Sequence, residues 1–271
     1  MALTHYSAVL TGGLANTKGS YTELVAATPY ASSRLHLHLR NTSAARLLFL
    51  VDLATGAGGA ETVLVANVAG AADADLLAGA TVAMDCDVPA GTRLAARCQS
   101  PTASANVILT VLVEDRALGG LTAPVTYGAD LSLSKGTAID PGGTINTKSS
   151  YVQLSASTAA RIDAVALTAT VRLGANITAA TEWRVDLATG AGGAEVVAIA
   201  DLVLGASTLG DCVRPSLWRL PVAIPAGTRL AVRASCTRNT AIERELAVTV
   251  IGIQEPAASG GGSAGAVAYV G

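Results

Sequence analysis

Asp52 and Glu61 bracket a run of small residues, Leu53-Ala54-Thr55-Gly56-Ala57-Gly58-Gly59-Ala60, and Asp186 and Glu195 bracket the same run a second time. Paired carboxylates are what glycoside hydrolysis uses as acid and base or nucleophile, and carboxylates beside a loop are what a calcium ion takes. A duplicated enzyme usually keeps one good site, whereas both pairs are intact here. The same residue types also suit ion pairs at strand ends, with Arg93 and Arg97 in the first copy and Arg229 and Arg233 in the second. That structural role is the expectation.

His36 and His38 are two apart, so a strand would project both to one side, which is one geometry for two metal ligands. A comparable third ligand is lacking, since the remaining His is His5 and the second copy reads Leu167-Thr168-Ala169-Thr170 in their place. No metal site is expected. Gly12-Gly13-Leu14-Ala15-Asn16-Thr17-Lys18 lacks the Gly that precedes Lys in a phosphate-binding loop, and Gly56 to Gly59 is followed by a strand-like run where a dinucleotide fold needs a helix. Both read as turns or loops, and the Gly-rich turns, Gly58 included, are expected to need positive backbone dihedrals. The Gly-x-Ser-x-Gly elbow is absent and the second copy has no His, so a nucleophile with a His base is confined to the first. The expectation is no catalytic residue, no cofactor and no enzymatic activity.

The elements that must position these residues also come twice. Asn16-Thr17-Lys18 recurs as Asn146-Thr147-Lys148, and Pro89-Ala90-Gly91-Thr92-Arg93-Leu94-Ala95 recurs as Pro225-Ala226-Gly227-Thr228-Arg229-Leu230-Ala231. The spacing between copies drifts across the blocks while each block stays intact, as loops do around a fixed scaffold. Arg34-Leu35-His36-Leu37-His38-Leu39-Arg40 alternates with period two and predicts a half-buried strand. Further strands are predicted at residues 45–53, 61–68, 93–99 and 106–114, with matching ones at 182–187, 195–204, 229–236 and 245–253. No helical period is convincing. The fold class is therefore all-β, a tandem duplication of an antiparallel β-sandwich or jelly roll. The predicted organisation is a first sandwich at 1–122, a linker at 123–126, a second at 127–256 and a flexible Gly/Ser-rich tail at 257–271.

Hydrophobic residues make up 51% of the chain, yet they fall in short interrupted runs of Ala and Val, too short to span a bilayer as a helix. A net charge of -2, scattered Lys and Arg, and 3% aromatics provide neither a basic stripe nor a stacking platform, so nucleic acid is not an expected partner. The start, Met1-Ala2-Leu3-Thr4-His5-Tyr6, has no basic region followed by an apolar core, so synthesis in the cytoplasm is expected. Cys86, Cys98, Cys212 and Cys236 lack zinc spacing and read as reduced thiols, with a disulfide formed after release as the alternative.

The stretches from Val88 to Arg97 and from Ile224 to Arg233, set in an Ala/Gly/Thr-rich tandem of sandwiches with a Gly/Ser tail, resemble hairpins common in the β-rich virion proteins of tailed bacteriophages. That resemblance implies a structural role on the particle, as a capsid decoration or fibre-type protein. The implied partners are major capsid or tail proteins and further copies of the chain, with no membrane, and the implied location is the virion after synthesis in the host cytoplasm. The alternative is a carbohydrate-binding or receptor-binding module. Its aromatic candidates are Trp183, Trp218, Tyr21 and Tyr151, of which the two equivalent tyrosines read as core or corner residues. Trp218, with Arg214 and Arg219, has no close counterpart in the first copy and is the candidate contact surface.

Overall fold

The computed structural model describes residues 2–42, 47–72, 80–171, 179–206 and 219–255. The first copy forms β1 (Leu3–Thr11), β2 (Thr22–Val25), β3 (Ser32–Asn41), β4 (Leu47–Thr55), β5 (Thr62–Ala72), β6 (Ala80–Val88), β7 (Leu94–Gln99) and β8 (Asn106–Glu114). They pair antiparallel as two sheets in the orders β1–β8–β3–β6 and β2–β7–β4–β5. This interleaving is a jelly roll. Period-two alternation produces it: Leu35, Leu37 and Leu39 of β3 and Val107, Leu109 and Val111 of β8 point inward, where Phe49, Val51 and Leu53 of β4 meet them, all fully buried.

The second copy forms β9 (Val125–Tyr127), β10 (Ala129–Asp130), β11 (Lys135–Ile139), β12 (Val152–Ser155), β13 (Ile162–Val171), β14 (Thr181–Thr189), β15 (Val196–Ala206), β16 (Leu220–Ile224), β17 (Leu230–Cys236), a one-turn α1 (Ala241–Arg244) and β18 (Leu246–Ile253). The orders β11–β18–β13–β16 and β12–β17–β14–β15 repeat those of the first copy. The fold is thus all-β and duplicated. Trp183 takes the place of Phe49 in the second core, fully buried, and donates its ring N–H to the Arg244 carbonyl at 2.6 Å.

The copies differ at their first strand. In the second copy Tyr127 faces Val250 and Thr137 faces Val248, so residues 128–136 leave the ladder that β1 keeps unbroken against β8. The excursion lies on the first copy, where Gln99 donates Nε2 to the Leu131 carbonyl at 2.8 Å and Ser134 donates Oγ to Asn16 at 2.8 Å. Between the copies, Asp87 accepts from the backbone N–H of Gly119 and Leu121. Val125 and Thr126, expected in the linker, already belong to β9. The tail at 257–271 lies outside the described residues.

The two sandwiches stack. The outer face of β13 and β18 lies against β5, and β11 reaches β4. Register pairs on the outer face of the first copy, Leu50 with Ala69 and Leu48 with Ala71, are buried. The equivalent pairs of the second copy, Arg184 with Val203 and Glu182 with Gly205, are not. The partner sheet shows the inverse exchange: Arg34, His36, His38 and Arg40 of β3 align with Ala164, Ala166, Thr168 and Thr170 of β13, all four buried. Each face carries apolar or small residues where it is covered, and charged residues enter it where it is free.

Leu50→Arg, which gives the first copy the residue type of Arg184, is expected to lower the unfolding free energy by about 3–5 kcal/mol through lost packing and an unpaired buried charge. Arg184→Leu is expected to change it by less than about 1 kcal/mol. Urea titration of both variants measures the asymmetry; equal effects would contradict it.

Candidate functional site

The repeated segment between Asp52 and Glu61 builds the densest polar arrangement in each copy. β4 and β5 fall out of register twice, between Val51 and Leu53 and again before Ala54, because β5 carries extra residues. Asn67 occupies the first of these bulges with φ 56°, and its counterpart Asp201 in β15 has φ 54°. A bulge residue in this conformation turns its N–H out of the ladder. Asp52 accepts that N–H at 2.8 Å, and Asp186 accepts the one from Asp201 at 2.9 Å.

Each carboxylate is then closed by two cations. Lys18 Nζ stands 2.7 Å and Arg97 Nε 2.9 Å from the oxygens of Asp52, and Lys148 and Arg233 hold Asp186 at 2.6 and 2.8 Å. Arg97 and Arg233 also lie over the rings of Tyr21 and Tyr151, each 4.6 Å from the ring centre. The tyrosines are therefore half-buried platforms on an outer sheet face, and neither is a core residue. Burial pushes the Asp186 carboxyl up and burial pushes Lys18 down. For Asp186 the hydrogen bonds from Lys148, the Asp201 backbone and Arg233 win, leaving it below the usual carboxylate range.

The Gly-rich turn is closed by the second acid. Glu61 accepts from the Gly59 N–H at 3.0 Å and from Arg93 at 3.3 Å, while Arg93 also donates to the Gly56 carbonyl at 3.0 Å. Glu195, Gly193, Arg229 and Gly190 repeat this. Burial raises both glutamates, yet these hydrogen bonds leave each one lowered. The ion-pairing expected of these acids is present, with Asp52 on Arg97 and Glu61 on Arg93. Lys18 was missed as the other partner of Asp52. Its signal was the return of Asn-Thr-Lys alongside the acidic block in both copies.

One expectation about this turn is corrected. Gly56 and Gly59 have φ of 97° and 82°, whereas Gly58 does not adopt a positive φ, and a Cβ there would meet only Arg93 Nη2 at 3.8 Å. Strain belongs to Gly56, where a Cβ would also lie 2.9 Å from the Ala60 carbonyl.

The histidines sit on the outer face of β3. His36 Nε2 is 2.5 Å from Glu114, and His38 is half-buried, its pKa lowered by burial and then by Arg40. By register His36 aligns with Ala166 and His38 with Thr168, two residues earlier than the Thr168 and Thr170 that the sequence set against them. Among the described residues no group of three His, Cys, Asp or Glu could hold a metal ion. Cys86, Cys98 and Cys236 are free and buried, and burial pushes the Cys86 and Cys98 thiols up to about 12. Cys212 lies outside the described residues.

Of the candidate contact surface, Trp218 and Arg214 lie outside the described residues. Arg219 is exposed and ion-paired. Its Nε is 2.6 Å from Asp85 of the first copy, which also holds Arg34 Nε at 2.7 Å, and it pairs with Glu255. A cleft of about 120 Å³ between the copies is lined by Arg34, Ala83, Asp85, Ala166, Arg219 and Ile253. Trp183 is in the core, so it offers no exposed platform for a sugar.

No protein-family model matches the chain, and no curated protein is significantly similar to it. Solved structures similar to it include PNGF-II (TM-score 0.40, 8% identity), where 94% of this chain spans 65% of the other. The CBM22-1–CBM22-2 tandem domain of Paenibacillus barcinonensis Xyn10C matches with TM-score 0.23 and 9% identity over 94% of both chains. PNGase F, a glycosylasparaginase from Flavobacterium meningosepticum, matches with TM-score 0.37 and 9% identity over 94% of this chain and 96% of that one. The VP2 subviral particle of infectious bursal disease virus follows with TM-score 0.23 and 8% identity over 94% and 72%. The expectation of a chain without enzymatic activity is corrected here, since the solved structures similar to it include an enzyme, PNGase F. At these TM-scores the likenesses carry no argument about activity, ligand or assembly.

Two outcomes follow from the duplicated acids. Gly56→Ala is expected to cost about 1–3 kcal/mol and Gly58→Ala less than about 0.5 kcal/mol, read as shifts in the urea midpoint. Asp186 has a lowered folded pKa, so its contribution is complete above the unfolded value of about 4 and is lost as pH falls through the folded value. Stability measured from pH 7 to pH 2 is expected to fall below about pH 4, with a shallower fall in Asp186→Asn; an unchanged slope in that variant would remove Asp186 from the account.

Proposed function

We propose that this chain is a structural component of a tailed-bacteriophage virion, seated on the particle surface as a capsid decoration protein. The observation that carries this reading is the stack itself: two jelly rolls joined through a buried junction of Leu48, Leu50, Ala164 and Ala166, with two free sheet faces of different chemistry. One free face presents His36 and Arg40, and the other presents Glu182, Arg184 and Val203. Such a block offers chemically distinct surfaces for the contacts of an assembled particle. The phage-like sequence of the stretches from Val88 to Arg97 and from Ile224 to Arg233 supports the same reading, although each crosses from one sheet to the other, β6 to β7 and β16 to β17, and is not the hairpin expected from sequence. Its partners are then major capsid or tail proteins, and its location is the assembled virion after synthesis in the host cytoplasm.

Antibody raised against the purified chain is expected to decorate gradient-purified particles at regular surface positions in negative-stain images, and peptides of the chain are expected in their mass spectra. Particles free of the chain, with the protein found only in the infected-cell lysate, would overturn the proposal.

A further inference from the structure

The internal junction uses only half of the surfaces that the duplication created. In the first copy the outer face of β4 and β5 is covered and the outer face of β3 and β8 is free; in the second copy the covered and free faces are exchanged. Every chain therefore carries one spare copy of each side of a contact that this fold already makes. We propose that the two spare faces bind one another between chains, so that the protein associates head to tail with a second copy of itself.

Three observations commit the proposal to that occupant. The first is equivalence: Val203 stands where the buried Ala69 stands in the junction, yet it is 54% exposed, as befits a covered position without its cover. The second is charge. Where the junction has Asn67 and Leu48, the spare face of the second copy has Asp201 and Glu182; where the junction has Ala166 and Thr170, the spare face of the first copy has His36 and Arg40. The second copy's spare face has thereby gained two acids alongside Arg184, and the first copy's has gained Arg40 and His36 beside Glu114, so each side of the proposed contact offers charges of both signs. The third is the difference between the two contacts. The internal junction is built of Leu, Ala and Thr and stays closed, whereas one made through charged residues is screened by salt and opens reversibly.

The contact joins two different faces, so it is heterologous and closes as a ring or runs on as a filament. Arg184, at the position of Leu50, has no apolar role in it and is instead paired to Glu182 at 3.5 Å. The inference concerns the free protein in solution and does not rest on a virion location.

Sedimentation velocity of the full chain over a hundredfold range of concentration tests it. At low salt the mass is expected to rise with concentration in steps of one chain, and at roughly 0.5–1 M salt to return to that of a single chain. Val203→Arg with Glu182→Arg blocks one face, and Arg40→Glu with Ser7→Glu blocks the other, Ser7 lying on β1 beside Thr110 of β8 in the same outer row as His38. Each blocked chain alone is expected to remain single, while an equimolar mixture forms a one-to-one pair, because each variant retains the face the other has lost. Circular dichroism confirms that the variants are folded before mixing. A wild-type chain that stays single at every concentration, a blocked variant that associates like wild type, or a mixture that does not pair would each overturn the proposal.

Discussion

A buried carboxylate on the fourth strand sets the phase of everything beyond it. Asp52 is 3% exposed, and accepts from Lys18, from Arg97 and from the N–H of the bulged Asn67. Because side chains alternate along a strand, an inserted residue moves every later one to the opposite face. The bulge thereby keeps Val68 in the core while Ala69 and Ala71 face the other sandwich. Without a partner for the N–H that the bulge turns out, that phase would carry an unsatisfied backbone donor. Asp186 does the same for Asp201, so both copies preserve the device although only the first uses the resulting face as a junction.

The two sandwiches share this internal frame and differ where they meet solvent or each other. Phe49 and Trp183 fill the same core position, and Arg93 and Arg229 clamp the same turn. The outer faces, by contrast, exchange Leu for Arg and His for Ala according to whether a neighbour covers them. The excursion at residues 128–136 adds direction: it rises from the second copy and engages Gln99 and Asn16 of the first, and the first copy has no such segment to offer in return. Nothing in the bare jelly-roll topology distinguishes the two copies, and this loop does.

The repeated blocks made the duplication and the turns legible, and strict alternation made β3 and β8 legible. β1 was not, because Leu3 and Val9 face outward and are half exposed, so apolar residues fall on both sides and the period-two signal is lost. β2 and β12 are four residues each, too short for a pattern to stand out, and α1 is a single turn between strands. The acids were correctly read as ion-pairing, but Gly58 was assigned a strain that belongs to Gly56, since glycine content alone does not say which position takes the positive φ. The stacking face was hidden for a different reason. Leu48 and Leu50 lie in the run Leu47-Leu48-Phe49-Leu50-Val51, which is apolar at every position, and a strand buried on both sides shows no alternation to separate its two faces.

The first copy enters and leaves the sheet side by side. Leu3 pairs with Glu114 and the ladder runs from there to Thr11 and Asn106, so the first residue of β1 and the last of β8 lie at one end of an antiparallel pair. Tension applied between these two points would not load the ladder in shear, with all its bonds sharing the force. It would peel β1 from β8 one rung at a time, starting at Leu3. The same sandwich that is closely packed inside is thus a compliant element along the axis of its own chain.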